Sequence, residues 1–241
     1  MLTELITAFA TGSTNDLKEA LASLLLSLPI IILALSVHET AHGYVAKKLG
    51  DPTASSLGRL SLNPLKHIDP IGFICMILFH FGWAKPVPIN TRYFKNPRRD
   101  MFICAIAGPL SNIALALIFG VLLKTFYVIV PLLEITYTSS LLVTNIINFS
   151  EILLFLGIYL NVTLAVFNLL PIPPLDGSRV LYLFMPQKWL FKLSQYERYI
   201  HFAFLGLLFL GILDKPLDFL IDNVLGLIWF ILRLPQFPHY L

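Results

Sequence analysis

The chain has 241 residues, of which 57% are hydrophobic and only 13% charged, with a formal net charge of +3. Soluble globular chains carry roughly 25% charged residues, so this balance and a mean hydropathy of +0.79 argue against an ordinary water-soluble domain. Two cysteines in apolar context, Cys75 and Cys104, do not make a disulfide scaffold and read as small packing residues.

The N-terminal stretch from Met1 to Thr11 lacks the basic flank of a signal peptide and reads as a short amphipathic segment. An uncharged run from Ala20 to Val37 then leads into His38-Glu39-Thr40-Ala41-His42. The pattern predicts one helix from about residue 20 to 49. Residues four apart share a helix face, so both imidazoles point the same way and can bind one Zn²⁺. Glu39 stands beside them, placed to take a proton from a water that the metal activates. Three ionisable groups at the end of a membrane-grade apolar run are costly unless they bind something. The motif therefore points to a metalloprotease that works within the bilayer.

Two further runs are long enough to span about 30 Å of hydrocarbon: Met101 to Leu123 and Ile152 to Leu175. Between the first and second lies a basic loop. Residues 47–99 hold nine of the 17 Lys and Arg, residues 171–198 hold four, and residues 125–150 hold none. The positive-inside rule places 47–99 and 171–198 on the cytoplasmic side and 125–150 outside. The short apolar segment 68–83 has basic flanks on both sides, so it is expected to dip in and return. That keeps the H-E-x-x-H motif and the end of the third helix at the same membrane face. Residues 53–62 and the Pro86-Val87-Pro88-Ile89-Asn90 stretch read as extended, forming a short sheet or hairpin near the site. Weaker runs at 200–213 and 217–232 read as a final hairpin turning at Asp214-Lys215-Pro216.

A catalytic zinc usually has three protein ligands, and the motif supplies two. Candidates for the third are Asp176, Asp51, Asp69, Glu134, Glu151, His67 and His80. Asp176 stands out, because it follows the third helix after a proline-rich stop and precedes Gly177. The rival reading makes it the cap of the next helix, expected to begin near Ser178. Asn112, Asn161 and Asn168 can serve as interhelical hydrogen-bond donors. The basic run Arg92 to Arg99 reads as a contact with anionic lipid headgroups.

Three motifs together resemble the signature of the site-2 protease family, the intramembrane zinc metalloproteases. They are His38-Glu39-Thr40-Ala41-His42, Gly108-Pro109-Leu110-Ser111-Asn112, and Asn168-Leu169-Leu170-Pro171-Ile172-Pro173-Pro174-Leu175-Asp176-Gly177. Gly82-Trp83-Ala84-Lys85-Pro86-Val87-Pro88 is similar to the small, mostly prokaryotic branch, and no PDZ domain is visible. The resemblance implies His38, His42 and Asp176 as ligands of one Zn²⁺ and Glu39 as catalytic base. It implies that Asn168 helps hold the substrate backbone or the oxyanion, and that Asn112 makes a helix-packing or substrate-facing contact.

The expected fold is an all-α membrane protein: a polytopic helical bundle with a three-helix catalytic core, a re-entrant or interfacial segment, and short β-strands near the active site. A single domain is expected over 1–241, with the core at about 20–180 and the C-terminal hairpin at about 199–233. The expected function is hydrolysis of peptide bonds within or near transmembrane segments. The expected partners are a membrane-protein substrate and the lipid bilayer, with no nucleic acid, and the expected place is the cell membrane with the site towards the cytoplasm. The alternative is a membrane transporter or metal-permeation protein using the His/Asp cluster, which would need no glutamate base.

Overall fold

The computed structural model describes residues 14–79, 82–132 and 141–235. Among them are eight α-helices and two short 3-10 turns, and the chain divides into two compact units, 1–95 and 96–241. Among the described residues three helices are long and apolar enough to cross a membrane: Leu24–Lys48 within the first unit, and Pro97–Leu132 and Leu141–Leu169 within the second. At ~1.5 Å per residue each exceeds the ~30 Å of a bilayer core. The protein is a membrane protein built almost wholly of helix.

The first unit is built on α1 (Thr14–Lys48). Its apolar run gives the helix, and Gly50 ends it. With φ at +107°, Gly50 turns the chain so that the Asp51 N–H donates back to Ala46 O at 2.9 Å. Only glycine adopts that backbone cheaply, and the bond satisfies a carbonyl that the helix end leaves open. A one-turn helix α2 (Thr53–Ser56), a 3-10 turn at Pro64–Lys66, α3 (Pro70–Phe79) and a second 3-10 turn at Thr91–Tyr93 follow. Short polar side chains start three of these. Asn63 Oδ1 accepts from Leu65 N, Asp69 Oδ1 from Ile71 N and Gly72 N, and Asn90 Oδ1 from Arg92 N.

The segment around α3 closes on itself. Ile68 and Ala84 form an antiparallel bridge, and the Lys85 N–H donates to His67 O at 2.7 Å. Gly72 permits the closure: a Cβ there would meet Trp83 O at 2.2 Å, and backbone cannot yield. With ten residues α3 is about 15 Å long, half the thickness it would need to cross.

The second unit comprises α4 (Pro97–Leu132), α5 (Leu141–Leu169), α6 (Asp176–Phe184), α7 (Gln187–Phe209) and α8 (Asp214–Leu232). Its core joins three helices: Ala116 and Leu123 of α4, Ile158, Val162 and Val166 of α5, and Ile221, Leu225 and Ile228 of α8. Spacings of three, four and seven put each set on one helix face. Lipid is as apolar as leucine, so helices in a membrane associate through close packing and polar contacts. Glycines provide the closeness here: a Cβ on Gly157 would fall 2.4 Å from the Phe119 ring, and one on Gly120 2.3 Å from Leu232. Opposite this core, Leu110, Ile118 and Leu122 of α4 and Ile146, Phe149 and Ile152 of α5 stay exposed, as lipid-facing side chains should.

Two features differ from expectation. No β-strand forms among the described residues, so the short strands expected near the site are absent. In 53–62, Asp51 Oδ1 accepts from Thr53 N at 2.9 Å and the chain coils into α2. In 86–90, two prolines remove donors, and side chains take the backbone groups that a ladder would use. Towards the C-terminus the turn falls at 210–213, with Gly211 at φ +67°, and Asp214-Lys215-Pro216 opens α8. Proline is tolerated there because a first-turn residue has no intrahelical donor bond to lose.

The closed segment makes a topological prediction. In a background with Cys75 and Cys104 replaced by alanine, single cysteines at positions 66 and 85 should react with a membrane-impermeant maleimide from the same side of sealed vesicles. Labelling from opposite sides would mean that 68–83 crosses.

Candidate metal centre

His38 and His42 lie one helical turn apart on α1, both buried. Their Nε2 atoms converge to 3.0 Å, with the rings edge-on at 82° and centroids 4.6 Å apart. Two nitrogens at ~2.05 Å from a tetrahedral zinc would be about 3.3 Å apart, so the pair fits two corners of a zinc site. Neighbouring residues anchor the motif. Ser36 Oγ donates to Ile32 O within the helix at 2.7 Å, and Thr40 Oγ1 donates to Ser61 O at 2.8 Å. The Glu39 carboxylate accepts the Val87 N–H at Oε2, 2.8 Å away. Gly43 makes room for that contact, since a Cβ on it would stand 3.0 Å from Val87 Cγ1.

The other candidates in the first unit have structural tasks. Asp51 is fully buried; Oδ1 takes the Thr53 N–H and hydroxyl, and Oδ2 takes the Asn90 N–H at 2.7 Å. Asp69 starts α3. His67 is buried at 1% exposure, and its Nε2 reaches Ser61 O at 2.6 Å. Ser61 O thus receives both Thr40 of the motif and His67. His80 and Glu134 lie outside the described residues.

In the second unit α5 ends at Leu169, and a turn with a cis Pro173–Pro174 bond leads to α6. The helix begins at Asp176 with Leu175 as N-cap, so Asp176 does not occupy the capping position. Ser178 closes the turn instead, its Oγ donating to Leu175 O at 2.7 Å. Gly177 is required by proximity and not by an unusual dihedral. A Cβ there would sit 2.2 Å from Leu169 O and 2.4 Å from Leu170 O, so only glycine brings α6 against the end of α5. Burial raises the Tyr182 phenol above its ordinary value, against a hydrogen bond with Ser178 that lowers it; Tyr182 therefore stays a neutral hydroxyl at physiological pH.

Asn168 turns its amide back to Leu164 O at 2.9 Å. Asn112 and Asn161 are both fully buried, and Asn112 Nδ2 donates to Asn161 Oδ1 at 3.2 Å between α4 and α5. Asn161 Nδ2 continues the chain to Gly157 O at 2.8 Å. Glu151 accepts from the Tyr127 hydroxyl at 2.6 Å. Sequence reasoning overlooked the Val87 amide that meets Glu39, and Arg59, whose Nη2 donates to Lys85 O and Pro86 O beside it. The available signal was Pro86-Val87-Pro88, which leaves a single N–H among three residues.

Paired histidines with an adjacent glutamate, on a helix long and apolar enough to cross a membrane, fit the donor set of a membrane metalloprotease. The comparison with known proteins agrees. The family model described as Peptidase family M50 matches residues 26–211. The proposed zinc metalloprotease YwhC of Bacillus subtilis (strain 168) is 42% identical over 180 residues, covering 73% of this chain and 77% of YwhC. The proposed zinc metalloprotease Rip2 of Mycolicibacterium smegmatis is 32% identical over 152 residues, covering 61% of this chain and 52% of Rip2. The proposed zinc metalloprotease MJ0611 of Methanocaldococcus jannaschii is 34% identical over 145 residues, covering 60% and 62%. The chain thus spans about half the length of Rip2. No solved structure matches. The chain belongs to peptidase family M50, the site-2 protease family that its motifs resemble. It is a zinc metalloprotease of the membrane.

The convergence of the two imidazoles makes a direct prediction. Wild-type protein should purify with one zinc per chain, and His42→Ala should purify without it while keeping its helical circular dichroism. Full zinc occupancy in His42→Ala, by elemental analysis, would remove the pair from the metal site.

Proposed function

We propose that this chain hydrolyses peptide bonds within or near transmembrane segments of membrane-protein substrates, with His38, His42 and Asp176 holding zinc and Glu39 as the proton-transfer group. The observation that carries the reading is the convergence of His38 and His42 beside Glu39 on a membrane-spanning helix. Three further points support Asp176. It lies in the third motif, it opens α6 within a turn of the end of α5, and the capping position that would otherwise explain it belongs to Leu175.

When bound, zinc supplies the Lewis acidity that makes a water nucleophilic near neutral pH and polarises the scissile carbonyl. The protein's own residues do the rest. Glu39 receives the proton of the attacking water and returns it to the leaving amine, so no covalent acyl-enzyme is required. The Val87 N–H holds one carboxylate oxygen, which fixes the direction of the other. A helical substrate hides its peptide bonds in its own hydrogen bonds, so it must unwind locally to be cut. Asn168 is proposed to hold the unwound backbone or the oxyanion; its side chain can exchange the Leu164 carbonyl for substrate. Asn112 is proposed to act through helix packing, since its amide donates to Asn161 between α4 and α5. The basic content of 47–99 supports a site towards the cytoplasm, with 68–83 entering and leaving from that side.

Glu39→Gln should keep one zinc per chain and lose proteolysis by at least ~10²- to 10⁴-fold, the range a general base contributes. Cleavage of a single-span peptide in proteoliposomes, measured with zinc content, tests this. Wild-type turnover in fully metallated Glu39→Gln would favour transport over proteolysis. For the third ligand, Asp176→Ala should bind zinc markedly more weakly in a competition titration with a chelator. Unchanged affinity would exclude Asp176 from the site.

A further inference from the structure

We infer that Arg59 is a positioning residue for Glu39, acting through the single peptide group between Pro86 and Val87; this rests on Glu39 being the proton-transfer group proposed above. The geometry joins the two across one rigid unit. Arg59 Nη2 donates to Lys85 O at 2.7 Å and to Pro86 O at 3.2 Å. The N–H of that same Pro86–Val87 peptide donates to Glu39 Oε2 at 2.8 Å. A trans peptide is planar, with its C=O and N–H pointing in opposite directions. Fixing the carbonyl with a guanidinium therefore fixes the direction of the N–H that meets the carboxylate. Both bonds are charge-assisted, and each polarises the peptide in the sense that strengthens the other.

The surroundings leave this arrangement little freedom. Pro86 and Pro88 have no N–H, so a slide of one residue cannot present another donor to Glu39. The Lys85 N–H is held by His67 O, and the Asn90 N–H by Asp51 Oδ2 at 2.7 Å, so the strap is tied at both ends. Val87 is buried at 7% exposure with its side chain seated over Gly43, the residue after His42. Oε2 being held by the strap, proton transfer falls to Oε1.

The test uses full-length protein in proteoliposomes with a single-span membrane peptide, and reads kcat, KM and zinc content. Arg59→Met should lower kcat by roughly 10- to 100-fold, the scale on which ~1 Å misplacement of a catalytic group acts, with KM and zinc unchanged. Arg59→Lys, which keeps a cationic donor, should recover part of the loss. A second pair reaches the strap from the other side. Gly43→Ala should push Val87 outward and lower kcat, and adding Val87→Ala should recover part of the loss, the remaining tight contact being Ala54 Cβ at 3.3 Å. A raised KM with unchanged kcat would make the strap a substrate contact and overturn the inference. So would loss of zinc in both Arg59 variants, or a Gly43→Ala defect that Val87→Ala does not relieve. Glu39→Gln in the same assay separates the two levels. If it is inactive and the Arg59 variants are normal, only the positioning role falls; if it cleaves like wild type, the base assignment falls and this inference with it.

Discussion

Backbone without regular structure has to find hydrogen-bond partners wherever water is scarce, and residues 50–95 meet that demand with side chains. A buried peptide group left without a partner costs about 1–3 kcal/mol. Asp51 answers for the Thr53 and Asn90 amides, Asp69 for two amides of α3, Glu39 for Val87, and Arg59 for the Lys85 and Pro86 carbonyls. Bonds to charged groups are the stronger kind, at roughly 1.5–3 kcal/mol. Charged side chains thus hold the backbone of this segment at both buried and exposed positions, and no sheet forms among the described residues.

The same economy links the loop to the chemistry. Glu39 both accepts the Val87 N–H and lies between the two converging histidines in sequence. Thr40, one residue on, reaches Ser61 O, which also receives His67. Gly43 completes the set by leaving space for Val87. Every position from His38 to Gly43, apart from Ala41, therefore makes a specific contact, either between the two imidazoles or with the loop. Disturbing the strap should be felt first in the orientation of the carboxylate and only later in the stability of the helix.

The second unit solves a different problem. Its helices have no hydrophobic reason to leave lipid for one another, and they associate through fit. Gly157 against Phe119, Gly120 against Leu232 and Gly177 against the end of α5 are places where a methyl group would collide. The Asn112–Asn161 pair adds a polar contact of the kind that averages about 0.6 kcal/mol in membrane helices. The middle motif thereby gains a concrete part in the fold, joining α4 to α5.

Much of this was legible in the sequence because the relevant signals are local. Apolar runs near the thickness of a bilayer foretold the three spanning helices, and H-E-x-x-H foretold the convergence of two imidazoles through helix periodicity alone. The motif order foretold the family. The strands expected at 53–62 and 86–90 were misjudged, because extended-looking composition does not say which partners a backbone will find. Asp176 as a cap was a fair rival until the helix start showed Leu175 in that position. The need for Gly177 lies in the proximity of Leu169 and Leu170, which the sequence does not show. Arg59 was only one of nine basic residues in a loop. Its task depends on meeting a carbonyl 27 positions away. The sequence by itself determined the three long apolar helices, the convergence of His38 and His42 and the family, since periodicity, spacing and motif order suffice for those. Only the tertiary structure decided which oxygen of Glu39 is held, by which amide, and what holds that amide in turn, because such bonds join residues that sequence distance keeps apart.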